Sequence, residues 1–383
     1  MAANGFSTRS FHLRLLLCAA LLSILSSTLF PAGCGRQEPV RIGFAGGLSG
    51  RVADLGISGR DGAVLAVEAK NASGGIHGRA VELIVRDDKQ DPETAVAVDR
   101  ELLGLGVEAI LGHMTSSMSM AAVHIVNEST AVMVSPTTTT TYLSGSDDNF
   151  LRVIATTEEY ASKMARYLGG ELGFETVAVV YDSGNDAYTE SWFEDFRKEF
   201  LSLGGRIVRV DTFHSGPGVH FFELTEAALS PGAEGLVVIA SAMDTAMICQ
   251  QVRKMGSRIT VAAAEWAATE RLVDLGGAAV EGIIVSQFFD RESTDEGFTS
   301  FRRMYRERFG EEPGFAAVNA YDAAMVVMKA VELRKEEESL KAAILRIGTF
   351  EGAQGPVAID RYGDAERETF ITTIESGRFK VLE

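Results

Sequence analysis

Short β-branched runs alternate with longer stretches of helical period along most of this chain, and no other feature restricts its fold as strongly. Runs at 40–45, 80–87 and 107–111 are separated by helix-like stretches at 59–70 and 92–105. Connections of that length are not hairpins. Each crosses over and returns the chain to the same end of a sheet, which makes the strands parallel and covers them with helices. A second series begins with a strand at 175–181 and continues through a helix at 187–203, a strand at 206–210, a helix at 219–229, a strand at 235–240, a helix at 245–255 and a strand at 259–263. The pattern predicts an α/β chain with two doubly wound parallel-sheet lobes.

The stretch 150–155 reads as one extended crossing between the two series. Helix-period segments at 295–309 and 315–334 read as first-lobe material returned late, which makes 283–289 and 356–361 two further crossings. Three crossings form a hinge. The expected partition is a signal segment 1–33, a tether 34–39, a first lobe of 40–154 plus 288–357, and a second lobe of 155–287 plus 358–383.

Residues 1–33 hold Arg9 and Arg14, no acid, and an apolar run from 15 to 25. That is the layout of a secretory signal, and the run is shorter than the roughly 20 residues a spanning helix needs. Ala32-Gly33-Cys34 resembles the lipobox of bacterial lipoproteins, which implies lipidation of Cys34, with simple cleavage nearby as the alternative. Removing this segment discards two arginines and moves the net charge from −17 to −19, which argues against a nucleic-acid partner. Of the three cysteines only Cys249 then remains, inside an apolar periodic stretch, so neither an intramolecular disulfide nor a cysteine metal cluster is expected. His113 and His124 lack metal-ligand spacing and read as structural or solvated; no metal and no cofactor is expected.

In open α/β sheets ligands sit beyond the carboxyl ends of strands, so the strand-to-helix turns carry the functional reading. The first strand ends in Gly46-Gly47-Leu48-Ser49-Gly50, which fits no nucleotide-binding spacing. The strand 107–111 runs into Gly112-His113-Met114-Thr115-Ser116-Ser117 and a helix from about 118. Free N–H groups and the positive dipole end there favour an anion, with the Ser116 hydroxyl as one more donor; Ser116 as a plain N-cap is the competing reading. The strand 131–135 ends in Pro136 and five threonines, whose hydroxyls suit a polar ligand or a solvated loop equally. The strand 259–263 ends in Ala264-Glu265-Trp266-Ala267-Ala268. A lone carboxylate among alanines is costly to desolvate unless something pairs with it, and a ligand ammonium would do so; a solvated loop glutamate near a helix start is the competing reading. No nucleophile elbow or metalloprotease pair is present, so no catalytic residue is assigned.

Taken in order, these turns resemble the leucine/isoleucine/valine-binding protein family, the branched-chain amino-acid group of type I periplasmic binding proteins. The likeness rests on Gly47-Leu48-Ser49-Gly50, on 71–78, on Asp87-Asp88 with Asp91-Pro92, on Gly112-His113, Ser135-Pro136, Glu265-Trp266, on 279–282, and on Ala320-Tyr321-Asp322-Ala323. It implies that Ser116, with Thr115 before it, grips a ligand carboxylate. It further implies that Thr137 offers a backbone carbonyl to the ammonium, that Thr139 contacts the head group, and that Glu265 pairs with the ammonium. Tyr188 is the expected covering aromatic. Ser241 stands where some members carry an aromatic and Leu55 where others carry tyrosine, so these two, with Tyr188 and Phe315, would shape the side-chain pocket. Gln90 and Thr115 occupy the positions of the family's first-lobe disulfide.

The resemblance implies an extracytoplasmic, monomeric solute-binding protein without enzymatic activity. It would close about its hinge on a small zwitterion, an L-amino acid, and deliver it to the membrane permease of an ABC importer. A sensor of the same fold for a small amide or carboxylic acid is the rival, and a surface-anchored hydrolase using Ser116 or a threonine as nucleophile is a more distant one.

Overall fold

A computed structural model describes residues 1–2, 38–229 and 232–383. The signal segment, Cys34 and most of the tether lie outside the described residues. Residues Pro39–Glu383 form one compact unit.

Both series of β-branched runs become parallel sheets. The first contains β1 (Val40–Gly46), β2 (Val81–Asp87), β3 (Ala109–Leu111), β4 (Val132–Ser135) and β5 (Phe150–Arg152), in the order β2-β1-β3-β4-β5. The second contains β6 (Thr176–Asp182), β7 (Arg206–Phe213), β8 (Gly235–Ile239), β9 (Thr260–Ala263) and β10 (Ile284–Gln287), in the equivalent order β7-β6-β8-β9-β10. Each sheet therefore reverses direction between its first and third strands, and such switch points open a crevice at the carboxyl ends. Inner strands such as β8 are buried along their whole length, whereas the edge strand β7 is mostly exposed. The β8 run is accordingly apolar throughout, and β7 mixes Arg206, Arg209 and Asp211 with valines.

The chain leaves the first sheet after β5 and joins the second at β6. After β10 it returns: helix Phe315–Leu333 packs on helix Ala53–Ala72 of the first lobe. Gly62 is what allows that approach, because a Cβ there would lie 2.0 Å from the Ala317 carbonyl oxygen.

The expected third crossing at 356–361 is displaced. Pro356–Ile359 is β12, the middle strand of a small antiparallel sheet with β11 (Thr349–Glu351) and β13 (Ala365–Glu366). The chain rejoins the second sheet only at β14 (Phe370–Glu375), which pairs antiparallel with β10 and with β15 (Arg378–Val381). A boundary at 357/358 would cut β12. Alternation over four residues marks a half-buried strand without saying which partner it has, which is why the sequence misplaced the passage.

Candidate functional site

The turn after β3 is held from three sides. A Cβ on Gly112 would lie 2.2 Å from the Ala45 carbonyl oxygen, so glycine lets this turn press against β1. His113 is fully buried, with Nδ1 2.8 Å from Asp88 and Nε2 3.1 Å from Asp99. Burial alone would lower its pKa, but the two carboxylates outweigh that and raise it to about 10, so the ring is a charged bolt. Helix Ser116–Asn127 then begins two residues earlier than expected. Thr115 occupies the N-cap position yet makes no side-chain cap bond; its hydroxyl donates to Gln90 Oε1 at 3.1 Å.

Ser116 is therefore the first helical residue rather than the cap, and its buried hydroxyl has no hydrogen-bond partner. The Tyr160, Thr225 and Ser286 hydroxyls share this state, and of the four only Ser116 lines the cavity between the lobes, where its donor is available to a ligand. The neighbouring Ser117 N–H is already taken by Asn185 Oδ1 of the second lobe, at 3.0 Å. The helix start thus offers its dipole and one hydroxyl rather than a full row of amides.

The threonine loop after β4 is ordered by its own hydroxyls. Thr137 donates to the Met114 carbonyl at 2.6 Å, Thr138 bonds Ser119 at 2.7 Å, and buried Arg152 donates to the Thr138 and Thr140 carbonyls. With its hydroxyl engaged, Thr137 has only backbone to offer. Thr139 is different: its hydroxyl reaches across the cleft to Glu265 Oε1 at 3.3 Å.

Glu265 follows β9, at the place in the second sheet that matches the threonine loop in the first. It is 5% exposed, and its Oε2 accepts from Trp192 Nε1 at 2.9 Å. Burial raises its pKa to about 7; hydrogen bonds from its own backbone N–H, Trp192, Tyr188 and Thr139 restrain the rise. No cation lies among those partners. Tyr188 stands in the first turn of helix Asp186–Ser202, its ring edge-on to Trp266 at 5.6 Å and its hydroxyl 3.4 Å from the Trp266 amide. Burial drives the Tyr188 and Tyr160 phenols well above their usual range, with Glu265 adding to both.

Ser116, Thr115, Thr137, Thr139, Leu55 and Phe315 from one lobe meet Tyr188, Glu265, Trp266 and Asn185 from the other around one small cavity of about 20 Å³. That volume holds about one water, so a solute enters only when the lobes part. Seven of the eight ligand-binding residues expected from the sequence converge there. Ser241 does not: it caps helix Ala242–Lys254, accepting the Asp244 N–H at 3.2 Å and donating to the Asp244 carboxylate at 2.9 Å. Trp192 was not anticipated. It lies in a row with Tyr188, Phe196 and Phe200 at four-residue intervals, a spacing that reads as helix core, and nothing in that spacing marks an indole N–H aimed at a carboxylate.

Residues 39–378 match the periplasmic binding protein family. Among curated relatives, the leucine-, isoleucine-, valine-, threonine- and alanine-binding protein of Pseudomonas aeruginosa is 23% identical over 87% of this chain and 89% of its own length. The leucine-binding protein LivK of Thermotoga maritima superposes with a TM-score of 0.83 at 26% identity, covering 90% of this chain and 98% of that one. The branched-chain amino-acid transporter substrate-binding protein LivJ of Streptococcus pneumoniae, solved with isoleucine, gives 0.83 at 25% identity over 90% of this chain and 99% of that one. Fold, cleft and family match agree with the likeness noted from the turns: this chain belongs to the periplasmic binding protein family, among the relatives of the leucine/isoleucine/valine-binding proteins.

Proposed function

We propose that this protein captures an amino acid between its lobes and presents it to the permease of an ABC importer. The observation that carries the reading is a pairing of opposites across one cavity. An unpartnered hydroxyl at a helix start faces a buried carboxylate that lacks a cation. The first suits a carboxylate and the second an ammonium, and a zwitterion satisfies both. In this reading the ligand docks on Ser116, the Thr137 carbonyl and Thr139, then the second lobe brings Glu265 and Tyr188 as the three passages between sheets flex. Leu55, Phe315 and Tyr188 surround the side chain. The relatives that bind leucine or isoleucine support this ligand class. The proposal includes a location outside the cytoplasm, anchorage through lipidated Cys34, action as a monomer, and no catalysis.

The test is the melting temperature in the presence of L-amino acids and, in parallel, of matching carboxylic acids without the amine, since a ligand that binds only the folded state stabilises it by mass action. A shift of several degrees with amino acids alone supports the reading. A shift with amine-free acids alone removes Glu265 from its role, and no shift with either at millimolar concentration removes the amino-acid assignment.

A further inference from the structure

The two switch points face each other, and a charge pair that touches nothing in the cavity joins them. Arg51, in the turn after β1, reaches across to Asp244 at the start of helix Ala242–Lys254, with Nη2 2.5 Å from Oδ1. Its Nε also donates to Ser215 Oγ at 3.3 Å. On the second-lobe side the acid is prepared in advance. The Asp244 side chain is fully buried, and its Oδ2 accepts from Ser215 at 2.6 Å and from Ser241 at 2.9 Å. Asp182, at the end of β6, is a second buried carboxylate beside it, tied in through the Ser215 N–H at 2.9 Å. Burial raises the Asp182 pKa against hydrogen bonds from the Gly184 and Ser215 amides, and the Asp244 charge adds to the rise while His214 opposes it. The second lobe thus holds two desolvated acids at its switch point, and the guanidinium that neutralises Asp244 belongs to the other lobe.

When the lobes part, Arg51 leaves with the first and the Asp244 charge keeps only the Ser215 and Ser241 hydroxyls. Water then takes the place of the guanidinium, and the carboxylate loses the charge-assisted contact that the closed form provides. We propose that Arg51 and Asp244 form a closure latch: a contact outside the ligand cavity that draws the lobes together and sets how long a captured solute is held. The proposal rests on the lobe-closing part of the function above and not on the identity of the ligand. Arg51 is a positioning residue, because none of its contacts reaches the cavity lining. The latch therefore changes the affinity of every ligand by the same factor, leaving the ranking among ligands to the cavity.

The experiment compares wild type with Arg51→Ala, Asp244→Asn and Arg51→Lys. Small-angle X-ray scattering of each protein without added ligand reads the balance of open and closed forms. Stopped-flow release of L-isoleucine, followed by tryptophan fluorescence, reads residence time. Arg51→Ala is expected to shift scattering toward the open form and to speed release about tenfold, the lower end of what breaking such a pair produces. Arg51→Lys, which keeps the charge but loses the forked geometry, is expected to lie between. Melting temperature serves as the control, since a merely structural contact would lower it and leave scattering unchanged. Identical scattering for wild type and Arg51→Ala overturns the latch, whatever isoleucine does. Failure of isoleucine to bind wild type counts against the amino-acid reading alone, and the scattering comparison still decides the latch.

Discussion

Ser116 and Ser241 hold matching posts in the two lobes. Each follows the third strand of its sheet and each stands at the start of the next helix, Ser116 after β3 and Ser241 after β8. Their hydroxyls nevertheless do opposite things. Ser241 spends its hydrogen-bonding capacity on Asp244, as acceptor from the amide and donor to the carboxylate. Ser116 spends none, because Thr115 has taken the cap position and the serine has moved one place into the helix. A shift of one residue at a helix start separates a group that stabilises the fold from one left free for a ligand. The same lesson extends across the cleft, where Glu265 is supplied with neutral donors and no cation. Spare capacity, not residue type, distinguishes Ser116 from Ser241.

The widest gap between spent and spare groups should appear at Glu265. Glu265→Gln keeps the shape and the acceptor for Trp192 but removes the charge. Amino-acid affinity measured by calorimetry is expected to fall by ~3 kcal/mol, a hundredfold or more, as for other broken buried pairs. Amine-free acids should bind the variant no worse than wild type, and an equal loss for both ligand sets would deny Glu265 its ammonium role. Ser116→Ala should follow, with a loss of about 2 kcal/mol, roughly thirtyfold, typical of a hydrogen bond to a charged group. Because the hydroxyl has no protein partner, the free variant should melt no lower than wild type. A lower melting temperature with unchanged affinity would return Ser116 to a structural role.

Glu265 also gives the site a pH dependence with a definite sign. Its folded pKa is raised to about 7, so below that pH the free protein holds a proton that an ammonium ligand must displace. Affinity for an amino acid is expected to rise with pH up to about 7, by at most about tenfold per unit, and to level off above it, with proton release detectable as a buffer-dependent binding enthalpy. Stability of the free protein moves the other way. The unfolded glutamate ionises at its ordinary, lower pKa, so the folded state loses ground as pH rises from there to about 7. In Glu265→Gln the affinity slope should vanish, and the stability slope should become shallower while buried Asp182 still contributes its part. A flat affinity profile in wild type would mean that the ligand brings no cation to this carboxylate.

What the sequence disclosed follows the same division. Period and turn chemistry report burial and chain reversal, so the two sheets and their crossovers are readable from the sequence, while the role expected of Glu265 comes from the family resemblance. Partner identity is not written in period. The run 356–359 has the alternation of any half-buried strand, and only the pairing of β12 with β11 and β13 shows that it stays out of the second sheet. Trp192 was hidden for the same reason, since a four-residue aromatic row is satisfied by a helix core whether or not one indole N–H points at an acid. Ser116 was balanced between cap and ligand until the helix start was fixed to one residue. Ser241 was assigned through resemblance to a pocket it does not reach.

That reassignment leads to the smallest expected effect. In Ser241→Ala the helix Ala242–Lys254 loses its side-chain cap, and the Asp244 amide and carboxylate each lose one partner. A cap of this kind contributes about 1 kcal/mol, so the midpoint of chemical unfolding should drop while the slope stays unchanged. Affinity should change by less than about threefold, since Arg51 and Ser215 still hold Asp244 and every cavity residue keeps its contacts. Ser116→Ala is expected to show the reverse pattern, large in affinity and null in stability. If Ser241→Ala instead altered the ranking of ligands, the second lobe's switch point would have to reach the ligand after all, and the division between a spent and a spare serine would fail at the position where it is drawn most sharply.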